Sequence, residues 1–287
     1  MTSPLDLIRI NNLPLVGQLV SDELTLGLHH SRRNGVGVEF AQFRAYQPGD
    51  DPKRIDWKRY AQTGKHLVRE SETESSQHVR LLLDLSGSMN YAEGDVRRLD
   101  YAKVLLAAIA YIANRQGDQL SLYGVREGQL EPLVPPGKQA FQKVLGRLAG
   151  VTAAGGWPAN PSQFPVPNRN QNELLVLVSD LLQLNDEWIT LLRQAATPRR
   201  EILLIQVLGQ QEIAFDLSGF YQFQDLETNQ TIEVQADAVR SQVRQAATAY
   251  FAQLDTALHL PHLRRVRTLL TDPPALVLRE LLGHQSH

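Results

Sequence analysis

Cysteine is absent from all 287 residues. That excludes a disulfide framework, a thiol nucleophile, an iron–sulfur cluster and Cys-ligated zinc. A strong charge bias is missing too: 29 Lys and Arg stand against 31 Asp and Glu, for a formal net charge of -2. Such a balance argues against a protein whose main business is coating nucleic acid or an anionic membrane. The longest apolar run, residues 104–113, is about half of the ~20 residues a membrane helix requires. Met1 to Asp6 has no basic start ahead of an apolar core, so no signal peptide is expected. Internal repeats and low-complexity tracts are also lacking. Together these absences lead us to expect a soluble, cytoplasmic chain.

What is present reads as an ordinary globular composition, 43% hydrophobic and 21% charged. Residues 79–83, 119–123, 174–178 and 202–207 are nearly continuous Leu, Val and Ile, the pattern of strands buried on both faces; 265–270 is a weaker candidate. Helical spacing of apolar residues fills the gaps: Tyr101, Leu105, Ala108 and Ile112, then 141–148, a segment after Asp186, and 237–258. A short helix is expected after Asp272-Pro273-Pro274. Strand alternating with helix predicts an α/β fold, an open mostly parallel sheet flanked by helices. The expected organisation is an N-terminal extension, 1–78, packed on a core domain, 79–287. Within that domain, 219–234 reads as a small hairpin insertion turning at Thr228-Asn229-Gln230, and 154–172 as a long surface loop.

The segment richest in chemistry is Asp84-Leu85-Ser86-Gly87-Ser88, directly after a strand and ahead of a helix. Short oxygen-bearing side chains at alternate positions converge when the chain turns sharply, and Gly87 permits such a turn. Oxygens of this kind suit a hard cation such as Mg²⁺. Ser179-Asp180 follows another buried strand in the same way, and ligands of open α/β sheets sit beyond strand carboxyl ends where the strand order reverses. The same Asp and Ser residues also serve as helix caps, an alternative that spacing alone leaves open. A metal-dependent phosphatase or hydrolase using Asp84 and Asp180 is a second alternative, weakened because Ser86 stands where a catalytic acid–base Asp is needed. A third is a single-stranded nucleic-acid binder through 44–69, where Lys53, Arg54, Lys58, Arg59 and Lys65 interleave with Tyr46, Trp57 and Tyr60. Asp50, Asp51 and Asp56 dilute that basic stretch. Glu70, Glu72 and Glu74 alternate, as on one face of an extended strand. His259 and His262 are separated by a Pro that breaks the helical face a zinc pair would use.

Three runs carry a resemblance. Gly35-Val36-Gly37-Val38-Glu39-Phe40, Arg44 to Asp51 through Tyr46-Gln47-Pro48-Gly49, and Ile55-Asp56-Trp57 closely resemble the opening of the bacterial "domain of unknown function 58" family. Leu82 to Met89, Val178-Ser179-Asp180, Asp225-Leu226-Glu227-Thr228 and Leu270 to Pro273 are similar to its later landmarks, so the likeness covers about residues 25–282. The family is similar to von Willebrand factor type A domains, of Rossmann-type topology, which hold Mg²⁺ at a metal-ion-dependent adhesion site. The resemblance thus implies a non-catalytic protein–protein interaction module, metal ligands at Asp84, Ser86, Ser88 and Asp180, and an AAA+ ATPase partner of the MoxR type. It also implies a Thr ligand from an intervening loop, usually Gly-Gly-Thr. Here the loop reads Gly155-Gly156-Trp157, which leaves Thr152 as the nearby substitute and predicts an incomplete or weak Mg²⁺ site. Many relatives carry N-terminal membrane helices that this chain lacks, which again implies a cytosolic form.

Overall fold

The computed structural model describes residues 1–33, 43–45, 67–69, 77–127, 129–157, 164 and 171–283. The chain divides into two compact units, Met1–Leu28 with Ser76–His287, and His29–Ser75. Of the second unit, two short strands are described, β1 (Phe43–Ala45) and β2 (Leu67–Arg69), paired antiparallel. The basic and aromatic residues 46–66, the Gly35 to Phe40 run and Glu70, Glu72 and Glu74 lie outside the described residues.

The first unit opens with two helices, α1 (Pro4–Arg9) and α2 (Leu13–Arg33). Leu7, Val16, Val20 and Leu24 are buried in the same apolar cluster as the sheet. Residues up to 28 therefore group with the sheet in one compact unit. Next come β3 (His78–Asp84), a two-strand ribbon of β4 (Ala92–Glu93) and β5 (Val96–Arg97), and the long α3 (Arg98–Gln116). α3 stops at Gly117, whose left-handed φ of 77° suits glycine. There Gly117 N–H donates to the Asn114 carbonyl and Asp118 N–H to the Ala113 carbonyl. β6 (Gln119–Arg126), β7 (Gln129–Val134), α4 (Ala140–Gly150), β8 (Glu173–Ser179), α5 (Asp186–Ala195) and β9 (Arg200–Leu208) follow. Then come α6 (Gln210–Ala214), the hairpin β10 (Phe220–Gln224) and β11 (Thr231–Gln235), α7 (Ala236–Ala257), β12 (Leu263–Leu269) and α8 (Pro274–Gly283).

The central sheet runs β12-β9-β8-β3-β6-β7, with every pairing parallel except that of the edge strand β7. This is the open, mostly parallel sheet flanked by helices that the alternation predicts. β7 is the strand the pattern misses. Its Gln129-Leu130-Glu131-Pro132 is polar and contains a Pro, which only an edge tolerates, and its pairing with β6 shifts register at Leu122/Tyr123.

Because side chains alternate across a strand, each strand feeds two cores. Leu81, Leu83, Val176, Val178, Leu203 and Ile205 face one cluster, with α1, the N-terminal part of α2, α3, α4 and α8. Leu82, Leu175, Leu177, Ile202 and Leu204 face the other, with α5 and α7. Asn185 caps α5 by accepting from Trp188 N–H at 3.1 Å, which fixes the fully buried Trp188 in that second core. Among the described residues, no helix is long and apolar enough to cross a membrane.

Candidate metal and docking site

The chain leaves β3 toward β6 on one side and later returns to β8 on the other, so the strand order reverses between β3 and β8. An open sheet leaves a crevice beyond the carboxyl ends of its strands at such a point. Asp84 ends β3 and Asp180 directly follows β8, so the structure brings the two carboxylates to one edge.

Asp84 is fully buried. Its Oδ1 accepts from Ser86 N–H at 2.8 Å, and its Oδ2 accepts from the Ser179 hydroxyl at 2.6 Å. The Ser86 and Ser88 hydroxyls lie 3.0 Å apart on the same turn. Burial, and after it the negative charge of Asp180, pushes the Asp84 carboxyl well above the usual carboxylate range; the bonds from Ser179 and Ser86 pull the other way. Asp180 is held differently. Its Oδ2 accepts from Arg98 Nη1 at 2.6 Å and its Oδ1 from Leu182 N–H at 3.1 Å.

Arg98 is wholly buried at the start of α3. Besides Asp180 it donates to the Ser88 carbonyl at 2.9 Å, pairs with Glu212 of α6, and sits 4.8 Å from the centre of the Tyr91 ring. The motifs do not reveal it. One signal exists: Arg98, Tyr101, Ala102 and Leu105 are all buried at helical spacing, so a charged residue opens an apolar stripe. Buried there, it needs a carboxylate partner.

Gly87 has a reason other than the expected sharp turn. Its φ is not left-handed, but a Cβ there would overlap the carbonyl of Leu226, on the loop joining β10 and β11. That hairpin therefore leans against the Asp84–Ser88 turn. The loop after α4 closes the other side: Ala154 N–H donates to the Leu85 carbonyl at 2.8 Å and Gly87 N–H to the Gly155 carbonyl at 2.7 Å. Thr152 lies before these contacts and is exposed. Trp157 turns its ring onto Trp188, with centroids 4.7 Å apart. Most of the expected loop beyond it, 158–163 and 165–170, lies outside the described residues.

Beside the turn opens a groove of about 650 Å³, lined by Ser88, Arg98, Glu212, Phe215, Tyr221 and Phe223 among others. Phe220 and Ile232 of the same hairpin are exposed, Phe220 at 83%.

The donors are two carboxylates and two hydroxyls; among the described residues no cluster of three or more His, Asp or Glu forms. All-oxygen donors suit Mg²⁺ and not a softer metal. The fit to a cation rests on Asp84: a buried carboxylate raised by burial and by a second carboxylate is the place where a bound cation relieves both costs.

An open, mostly parallel sheet flanked by helices, with Asp84 and Asp180 at its switch point, defines the class, an α/β protein of the open-sheet type. The family described as "Protein of unknown function DUF58" matches residues 42–253, and the chain belongs to it. The protein is 28% identical over 294 residues to "Uncharacterized protein Rv1480" of Mycobacterium tuberculosis (strain ATCC 25618 / H37Rv), a match covering 96% of this chain and 91% of the relative. "Uncharacterized protein Mb1516" of Mycobacterium bovis (strain ATCC BAA-935 / AF2122/97) is matched to the same extent. Among solved structures, the conserved hypothetical protein BatB from Bacteroides thetaiotaomicron is similar at a TM-score of 0.44 and 12% identity, over 72% of this chain and 98% of that one. The SpRpn10 VWA domain is similar at a TM-score of 0.43 and 15% identity, over 73% and 95%.

Proposed function

We propose that this chain is a non-catalytic protein-interaction module that docks its partner at the Asp84–Asp180 edge, with Mg²⁺ as the bridge. Asp84, Ser86 and Ser88 hold the cation, and Asp180 acts from behind them. Thr152, exposed and outside the loop contacts, is not needed for this set. The observation that carries the reading is the state of Asp84: fully buried, both oxygens already hydrogen-bonded, beside two hydroxyls. A nucleophile or general base must reach its substrate. Asp84 is enclosed, which speaks against the phosphatase and hydrolase alternative.

When bound, Mg²⁺ supplies a Lewis-acidic position for a carboxylate of the partner. The chain's residues set how strongly: the neutral hydroxyls of Ser86 and Ser88 offset less cation charge than carboxylates would, and Arg98 already neutralises Asp180. The aromatic groove and exposed hairpin beside the site offer the apolar contact that a stable interface also requires. The family resemblance names the partner class we propose, an AAA+ ATPase of the MoxR type.

The test is titration calorimetry with a purified MoxR-type ATPase. We expect binding to weaken at least ~10-fold in EDTA and in Asp84→Ala, as loss of a metal-bridged contact implies, while circular dichroism shows the fold intact. Binding untouched by both treatments would refute the metal-bridged reading.

A further inference from the structure

We infer that Glu227, carried on the loop between β10 and β11, supplies the cation site with the oxygen ligand that Trp157 cannot. This rests on the reading of the Asp84 edge as a Mg²⁺ site and adds a ligand from a separate element, about 140 residues along the chain from Ser86 and Ser88.

Four observations converge on Glu227. First, the position where a Thr is expected is occupied by an indole turned away onto Trp188, so that loop offers no side-chain oxygen there. Second, the Glu227 carboxylate stands at that same place: its Oε2 accepts from Trp157 N–H at 3.4 Å and lies 3.4 Å from where a Cβ on Gly156 would be. Third, its Oε1 is buried and has no hydrogen-bond partner among the described residues. A buried carboxylate oxygen without a partner is costly, and an ion is one of the few things that explains it. Fourth, the backbone that carries it is pressed against the metal turn, since Leu226 and Glu227 close over Gly87.

The loop is also built to hold Glu227 still. Asp225 Oδ1 accepts from Glu227 N–H at 2.8 Å and from Thr228 N–H at 3.2 Å, and its Oδ2 accepts from the Thr228 hydroxyl at 2.8 Å. Asn229 N–H donates to the Asp225 carbonyl at 2.8 Å, and Asp225 N–H donates to the Gln230 carbonyl at 2.8 Å. A ligand presented on a closed turn loses little freedom when it coordinates, which is what a supporting shell is for. The hairpin is then part of the site and not an ornament beside it.

Mn²⁺ replaces Mg²⁺ as the probe, and binding to the full chain is followed by electron paramagnetic resonance. Wild type should bind, Asp84→Ala should abolish binding, and Glu227→Gln should weaken it at least ~10-fold. In ¹⁷O-enriched water, Glu227→Gln should also carry one more metal-bound water than wild type. A measurement on the unaltered chain guards against a variant that fails to fold: Mg²⁺ should protect Glu227 from carbodiimide labelling, read by mass spectrometry. Mn²⁺ binding lost in Asp84→Ala but unchanged in Glu227→Gln, with the same water count, or labelling of Glu227 unaffected by Mg²⁺, overturns this inference and leaves the site. No Mn²⁺ binding to wild type at millimolar concentration overturns the site itself.

Discussion

At the amino-terminal end of the central sheet, Glu173 pairs with Arg80 through one oxygen and with Arg200 through the other, all three buried. Arg80 also donates to the Tyr123 hydroxyl at 3.0 Å, and His78 Nε2 lies 2.9 Å from the Ser121 hydroxyl. At the carboxyl end, Asp180 and Glu212 both pair with one guanidinium, that of Arg98, while Asp84, beside Asp180, has no cationic partner among the described residues. Among the described residues the first group sets two cations around one carboxylate, with neutral residues beside it. The second keeps surplus negative charge at a crevice. Buried charge of the first kind locks strands together; buried charge of the second kind waits for something positive.

The sharpest break in that comparison comes from Glu173→Ala. It removes the carboxylate that Arg80 and Arg200 share and should cost about 3–5 kcal/mol in denaturant unfolding, regardless of Mg²⁺. Arg98→Met at the other end should cost about 3 kcal/mol in EDTA, because Asp180 loses its cation. Here millimolar Mg²⁺ should recover part of the loss. Equal responses of the two variants to Mg²⁺ would erase the distinction between the ends.

Acid probes the amino-terminal end. Burial, with the positive charges of Arg80 and Arg200 behind it, lowers His78 from 6.5 to about 4. The unfolded chain therefore takes up this proton first as pH falls. Asp84, raised by burial and by the charge of Asp180, contributes the opposite slope over much of this range, so the His78 contribution is read as a difference: it should decline from about pH 6.5 and level off near pH 4, by at most about 3 kcal/mol. His78→Gln should remove that slope in a pH series of thermal or urea unfolding curves.

Gly87→Ala at the open end should cost about 2 kcal/mol, since the added methyl must push the hairpin loop away from the turn. Limited proteolysis within 220–235 should report the displacement. The smallest effect belongs to Thr152→Val, expected within about 0.5 kcal/mol at its exposed position and without influence on Mn²⁺ binding.

Why some of this was legible in the sequence follows from range. β3, β8 and β9 read clearly because a parallel sheet covered on both faces needs continuous apolar strands, and Asp84 and Asp180 stand out because one ends such a strand and the other directly follows one. α2 is harder. Val16, Val20 and Leu24 keep helical spacing, but Gly17 interrupts the pattern, and its reason is visible only in three dimensions: a Cβ there would run into the backbone of Ala107 in α3. Arg98 and Glu227 depend on partners about 70 to 114 residues away, Trp157, Asp180 and Glu212, so no local spacing marks them. The Thr expected after Gly155-Gly156 is the reverse case, a local pattern that the sequence breaks with Trp157, whose N–H meets the distant Glu227.

The contact between Trp157 and Trp188 has an optical consequence. Two indoles with centroids 4.7 Å apart and planes 36° from parallel are close enough for their electronic transitions to mix. Trp188 is anchored in the core while Trp157 belongs to the loop against the candidate site, so the pair converts loop displacement into a near-ultraviolet dichroic signal. With Trp57→Phe removing the third emitter, every event at this edge, whether a cation arriving or a partner leaving, can be followed in the unlabelled chain by its own light.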